Sequence, residues 1–549
     1  MKKYFLLLFF LSLAFNLYGQ SFSMINTSDP ILDDIRYLSV VSGKSFLSFS
    51  PPISTYEIRI FLNSIDLETL LQGDRIVFDR ISNRLVPPSP FLSWSHENSF
   101  LISMNIDLTL EAKVRFNDDI SWDSQNSYPK PLIKIPLQLL FGNTFQFYIE
   151  PAFGLRPGMP NADIFYTNIP LDSYHYNVEY SPFRAFFAAG GSCWNFKIGK
   201  DHLYWGSGHT GSLVFSNDSI FYDFAYLSFF NKYFKYSILI NHMPLYLYSP
   251  YKVNVPLIDD NLFKTPPQGW NETGNNTSIH RYFYLHRLDV NLIEKFTISL
   301  MEGVMVGNSP LELRFLNPLL VFHTVYAWSD YEKWEPNGGD MIGSVFSVEL
   351  NWNIFKSLSL YGQFILNQLA LPGETKADIN QSPNGIGYLA GINYALSFDK
   401  WNSIFFLEFI YTDPYLNILG SPYSSFIHQN IEYFLISHSR DTISLTAGAD
   451  FFNGSLLRLS GKFTFIMSGE HNKNGLKWDW ELTPEAFNKK TPSGIAENKF
   501  ILSFGAGYKP YSWLELNANI SGIVSVNNAH LSDNVETGGQ ASFSVNLRI

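Results

Sequence analysis

From about Phe91 onward the hydrophobic positions recur every second residue. Ile102, Met104, Ile106, Leu108 and Leu110 alternate with Ser103, Asn105, Asp107 and Thr109. Phe346, Val348, Leu350 and Trp352 alternate with Ser347, Glu349, Asn351 and Asn353, and Leu514, Leu516, Ala518 and Ile520 with Glu515, Asn517 and Asn519. The last segment, Phe543, Val545, Leu547 and Ile549, repeats the pattern against Ser544, Asn546 and Arg548. Successive strand side chains point to opposite faces, so each segment has one apolar and one polar face. Ahead of this region the period changes. Ser54-x-x-Glu57 forms a capping-box pattern, followed at helical spacing by Ile58, Phe61, Leu62 and Ile65. A second helical stretch, Asp66 to Leu85, sets Leu67, Leu70, Leu71, Val77 and Phe78 on a broad apolar face, and Pro87-Pro88-Ser89-Pro90 reads as a linker. The helical region is too small for a large core of its own. It is expected to pack against the periplasmic side of the strand domain.

Alternation alone fits a soluble β-sandwich as well as a membrane barrel. Composition separates them. Aromatics are 17% of the chain, with 31 Tyr and 49 Phe, and charged residues only 16%; soluble domains average about 25% charged. Mean hydropathy is nonetheless near zero, at −0.03. Transmembrane barrels combine these properties, because lipid-facing and lumen-facing residues alternate and aromatic girdles sit at both interfaces. The segments are often nine to eleven residues, the length a tilted membrane strand needs, and Phe229-Phe230, Tyr282-Phe283-Tyr284 and Phe405-Phe406 punctuate them. With about 25 residues per strand and its loop share, the strand region holds about 18 antiparallel strands. Asn384-Gly385, Asn453-Gly454 and Asn474-Gly475 read as tight turns, and 259–278, 328–340 and 471–498 as long polar loops.

At the start, Met1-Lys2-Lys3, an apolar run from Tyr4 to Phe15 and small or polar Gly19, Gln20 and Ser21 describe a secretory signal ending near residue 19. The expected organisation is therefore a signal over 1–19, a periplasmic helical region over 20–90 and an outer-membrane β-barrel over 91–549, folded with the barrel-assembly machinery and surrounded by outer-membrane lipid. Cys193 is the single cysteine, so no internal disulfide framework exists; its apolar surroundings favour a buried, inert thiol. The net charge of −11 offers no basic footprint for nucleic acid.

One segment breaks the strand pattern. Ile198 to Ser216 runs through Gly199, Lys200, Asp201, His202, Trp205, Gly206, Ser207, Gly208, His209, Gly211, Ser212 and Leu213. Glycines here permit backbone angles closed to other residues and close approach to a ligand. The stretch resembles the signature of the capsule assembly protein Wzi family, G-[RK]-x-x-x-x-W-G-x-G-x-x-x-S-L, through Gly199, Lys200, Trp205, Gly206, Gly208, Ser212 and Leu213. Asp33-Asp34-Ile35-Arg36-Tyr37-Leu38, Pro52-Ile53-Ser54-Thr55-Tyr56-Glu57 and Glu312-Leu313-Arg314-Phe315-Leu316-Asn317-Pro318 resemble family segments in the same order. Departures occur at His202 or Leu203, where Arg or Gln is common, and at Ser207, where Pro is common. The resemblance implies a lectin-like barrel with an occluded lumen and a periplasmic helical bundle. It also implies a role in attaching capsular or other surface polysaccharide, without catalysis or a cofactor.

Sugar recognition needs flat aromatic faces and hydrogen-bonding side chains. Trp270, with Asn271, Asn275 and Asn276, is one candidate; Trp328, Tyr331, Trp334 and Asn337 form another, and Trp478 with Trp480 a third. The competing reading for any single Trp is an interfacial girdle; the 328–334 cluster departs most from it. For Trp205 a structural role, plugging a Gly-lined gap, is favoured over sugar contact. His202 and His209 with Asp201 and Ser212 could be drawn as a hydrolase triad, but triads are recognised by geometry. Neither HExxH nor paired Cys/His spacing suggests zinc. A porin-like channel is the alternative function.

Overall fold

The computed structural model describes residues 22–27, 29–85, 91–96, 100–117, 120, 130–154, 165–169, 184–215, 221–243, 245–246, 278–307, 309–322, 324, 342–368, 384–419, 424–428, 433–434, 439–454, 456–471 and 490–549. One sheet of 23 strands dominates it, every pairing antiparallel. Leu92–His96 and Phe165–Thr167 are short ribbons against the first long strand. Three strands are interrupted: Phe100–Met104 continues as Asp107–Phe116, Ile133–Lys134 as Leu137–Phe141, and Phe145–Glu150 as Ala152–Phe153. With the ribbons set aside and each interrupted strand taken once, the described residues form eighteen staves. Val535–Arg548 then pairs with Asp107–Phe116, Leu547 opposite Leu108, and closes the barrel. Closure removes the exposed edges that an open sheet of this size would carry.

The apolar face of each stave points outward. Phe346, Leu350 and Trp352 are 40–45% exposed, whereas Ser347 and Glu349 between them are buried. An exposed apolar wall around a polar interior is the membrane-barrel arrangement. Tight turns gather at one end: 141–145, 190–194, 230–234, 293–296, 355–358, 398–401, 453–457 and 511–514. Asn453-Gly454 makes one of these, with Gly454 at φ 55°. Asn384-Gly385 instead precedes the strand Gly385–Phe398 at the long-loop end, and Asn474-Gly475 lies outside the described residues. Exposed Trp352, Phe355, Phe398 and Trp401 ring the tight-turn end, the place for an interfacial girdle. Cys193 is exposed, not buried; the apolar flanks belong to the strands, and the cysteine itself sits in the 190–194 turn.

Three helices, α1 (Ile31–Ser42), α2 (Thr55–Asn63) and α3 (Gln72–Arg84), enter the barrel at this same end. The capping box forms: Ser54 accepts from the Glu57 N–H and Glu57 from the Ser54 N–H. Glu57 also accepts from Lys235 Nζ and Asn195 Nδ2 of the wall, both at 2.6 Å. One carboxylate thus starts a helix and anchors it to the barrel. Ile35, Leu38, Ile58, Phe61 and Val77 pack with barrel residues Ala395, Ile404 and Phe452. Tyr37 donates to Asp74 at 2.7 Å and reaches Asn402 at 2.9 Å. Burial pushes the Asp34 carboxyl up from its usual range despite its two hydrogen bonds from Arg80. The helices are therefore a plug inserted in the lumen, not a domain resting against it. The broad apolar face expected on 66–85 is narrower: Leu70 and Val77 are buried, but Leu67 and Leu71 are exposed. A 3₁₀ turn at Leu67–Thr69 shifts the phase before α3 begins.

One long connection leaves the lumen altogether. Residues 309–322 lie against the outer wall, where Phe315 stacks on Tyr284 (4.6 Å) and Phe322 on His286 (4.3 Å). Tyr284, Val304 and Val306 are outward, opposite in parity to the luminal Phe283, Leu285 and Met305. Tyr236 donates to the Pro318 carbonyl and the Glu312 N–H to Tyr284 Oη, both at 2.9 Å. This strap contains the Glu312–Pro318 segment singled out in the sequence.

Candidate functional site

The strand Trp194–Asp201 ends in a loop that turns into the lumen. Gly199 adopts φ 136°, and a Cβ there would lie 2.3 Å from the Ala185 carbonyl oxygen. At Gly208 a Cβ would lie 2.1 Å from the Gly211 carbonyl oxygen. Both positions therefore exclude a side chain. Trp205 is fully buried. Its indole Nε1 donates to the Pro51 carbonyl of the helical plug at 2.6 Å, its ring meets Phe215 edge-on at 5.4 Å, and the Arg287 guanidinium lies 5.8 Å from the ring centroid. A buried indole N–H without an acceptor would cost about 1–3 kcal/mol, and Pro51 supplies that acceptor. The loop plug and the helical plug thus meet inside the barrel.

Three wall side chains on consecutive hairpins hold the loop. Glu349 accepts from Ser207 Oγ (2.7 Å) and Arg287 (3.0 Å). Gln363 accepts from the Leu213 N–H (2.7 Å) and donates to the Trp205 carbonyl (3.0 Å). Glu408 accepts from the N–H groups of His209 (2.7 Å) and Thr210 (2.9 Å), from Thr210 Oγ1 and from Tyr361 Oη (2.8 Å). Ser212 Oγ donates to the Trp205 carbonyl. The motif residues Trp205, Gly206, Gly208, Ser212 and Leu213 are brought together around these acceptors, while Lys200 is on the outer face, 3.7 Å from Asp223. Sequence reasoning missed Gln363 and Glu408 and took Glu349 only as a polar alternation position. Their signal was available: bulky hydrogen-bonding groups at inward positions of long strands, where small polar residues suffice.

A second inward segment adds Leu416, Ile418, Leu419, Phe426 and Ile427 to the same apolar cluster as Trp205, Leu213 and Phe215. Fully buried Arg281 fixes it by donating to the carbonyls of Ser425 (2.9 Å) and Ile427 (2.6 Å). The triad residues are not assembled. Asp201 is held by Arg184 (2.6 and 3.0 Å) and Lys197. His209 contacts Asn393 (2.7 Å) and stacks on Phe406 (4.1 Å), and His202 packs on Phe221. Trp270, Asn271, Asn275, Asn276, Trp328, Tyr331, Trp334, Asn337, Trp478 and Trp480 lie outside the described residues.

The filling is one-sided. A cavity of about 1450 Å³ opens at the tight-turn end between α1, α3 and the strands from Asp450 to Asn517, and reaches His209 of the Trp205 loop.

Comparison with known proteins places this architecture. No family model matches the sequence, and no curated protein matches it. Among solved structures the chain is similar to Wzi of Escherichia coli, described as an outer membrane protein involved in group 1 capsule assembly and a carbohydrate-binding β-barrel. The TM-score is 0.56 at 14% identity, over 95% of this chain and 99% of that one. The fold is therefore that of an outer-membrane β-barrel of the Wzi kind. OprD of Pseudomonas aeruginosa overlaps less well, with TM-score 0.41 and 10% identity over 82% of this chain and 95% of that one.

Proposed function

We propose that the protein sits in the bacterial outer membrane, binds carbohydrate and helps hold capsular or other exopolysaccharide at the cell surface. In this reading residues 1–19 are the export signal, 20–90 form the periplasmic plug and 91–549 the barrel. Short turns of such barrels face the periplasm, which orients the helix-filled end inward and the long loops outward. The observation that carries the reading is the double plug. Helices from one end and the Trp205 loop from the other meet at the Trp205–Pro51 hydrogen bond, an arrangement suited to a rigid binding scaffold rather than an open pore. Its fold neighbour Wzi is described as binding carbohydrate. Deleting the gene should release surface polysaccharide into the medium while its synthesis continues; unchanged retention on the cell would sink the proposal.

A channel is the second reading, favoured by the large cavity at the tight-turn end. Planar-bilayer recording separates the two: a binding scaffold gives almost no steady current, a channel gives stable conductance steps.

A further inference from the structure

The cavity at the tight-turn mouth is used by neither the Trp205 loop nor the packing of the helices. Its walls are α1 and α3 on one side and the strands Thr442–Asn453, Leu457–Ser468, Glu497–Tyr511 and Leu514–Val526 on the other. Its deep end is His209, flat on Phe406 with Arg36 Nη1 3.4 Å from the imidazole Nδ1. At about 1450 Å³ it exceeds the ~300–1,000 Å³ of common small-molecule sites. It is sized for a chain of several units rather than one.

Charge decides the class of ligand. Among the described residues each of the five arginines lining the cavity already faces a carboxylate, and the one lining lysine, Lys509, is offset by Asp79 and Glu515 in the same lining. Arg80 pairs with Asp34 (2.6 Å), Arg84 with Asp29 (2.7 Å), Arg36 with Asp33 (3.8 Å), Arg458 with Asp33 and Asp450 (2.9 and 3.4 Å), and Arg548 with Asp107 (2.7 Å). Little unbalanced positive charge remains to draw in an acidic polymer. Paired guanidiniums keep further N–H donors and paired carboxylates keep further lone pairs. Such a surface suits groups that donate and accept together, which hydroxyls do and ions do not. Asn517 and Asn105 add amides, and at the rim Tyr511 and Trp513 lie parallel, 5.3 Å apart and half exposed, offering flat apolar faces. Beyond the cavity the inward wall stays polar and partly open through Ser460, Lys462, Gly505, Asn519 and Ser521, and is buried again at Ile523 and Ser525.

We infer that this cleft is a second carbohydrate site, taking an uncharged, hydroxyl-rich oligosaccharide from the tight-turn side and ending against the Trp205 loop. The inference rests on the carbohydrate-binding reading but assigns a separate place and charge class. The probe is short fragments of the producing bacterium's own surface polysaccharide, native and after chemical reduction of any carboxyl groups, titrated onto the refolded full-length barrel in detergent. Asn517→Trp, which fills the cleft, should weaken binding about tenfold or more, a loss of about 1.4 kcal/mol. Carboxyl reduction and added salt should leave the affinity unchanged. As a check independent of that bulky variant, Asn517→Cys in a Cys193→Ser background should react with a hydrophilic maleimide and be protected by the fragments. Binding that survives Asn517→Trp with no protection of the cysteine overturns the cleft while leaving the carbohydrate reading intact. Affinity lost on carboxyl reduction overturns the charge class. Absence of any binding by the wild-type barrel removes the carbohydrate reading itself.

Discussion

The two halves of the barrel wall share an outer face and differ inside. From Arg184 to Thr412 the inward residues are buried almost throughout: Lys197, Tyr226, Lys235, Arg287, Glu349 and Glu408 are each no more than 2% exposed. From Asp450 round to Arg115 the inward residues Ser460, Lys462, Asn517, Asn519, Gln540, Glu111 and Lys113 are only partly covered or open. The bilayer sets the outer face of both halves, so both alternate. What docks inside sets the inner face. Where the plugs dock, charges are large, desolvated and matched to partners, because a buried unpaired charge is costly. Where nothing docks, hydroxyls, amides and glycines face water at little cost, and the charged groups among them, such as Lys462, stay exposed. Ordinary sequence alternation hides this difference, because charged residues occur on both walls and only their burial differs.

Substitutions on the two walls test the contrast. The largest effect is expected at Glu57. Glu57→Ala strands the fully buried Lys235 ammonium and removes the Glu57 half of the capping box, a loss of about 3–5 kcal/mol, readable in urea titration of the refolded barrel. Trp205→Ala should cost about 3–5 kcal/mol and, by loosening the junction of the two plugs, raise bilayer conductance; wild-type stability with silent bilayers would show that the plugs do not depend on each other. Glu408→Ala leaves two loop N–H groups and the Tyr361 hydroxyl without their acceptor, at about 1–3 kcal/mol for each group kept from water, with faster proteolysis of the loop as a second readout. On the open wall Arg458→Ala breaks an exposed pair with Asp33 and a partly covered one with Asp450 and should change stability by no more than about 1 kcal/mol. Asn519→Ala should stay within about 0.5 kcal/mol. Equal losses on both walls would erase the distinction.

Much of the fold was legible because period-two hydrophobicity and the Ser54–Glu57 box are local signals. The strand number followed from length, since stave length is constrained by membrane thickness. The insertion of the helices was not legible. It depends on wall partners such as Lys235, Asn195 and Asn402, which lie 178, 138 and 365 residues from their helix contacts Glu57 and Tyr37. Leu67 and Leu71 misled because a 3₁₀ turn changed the phase. Cys193 misled because strand composition was extended through a turn. At the candidate site the Gly/Trp segment announced itself, but the acceptors that hold it came from single residues on three distant strands.

The strap on the outer wall has a consequence for how the molecule meets its surroundings. It covers outward Tyr236, Tyr284, His286 and Glu302, the last two 3.2 Å apart, and turns Leu313, Leu319 and Val321 outward at 73%, 88% and 56% exposure. Its Glu312 N–H and Pro318 carbonyl bond back to the wall. A plain barrel offers neighbouring lipids and proteins the same round profile from every bearing. Among the described residues this one has a raised flank on one side, and so carries a compass direction in the plane of the membrane.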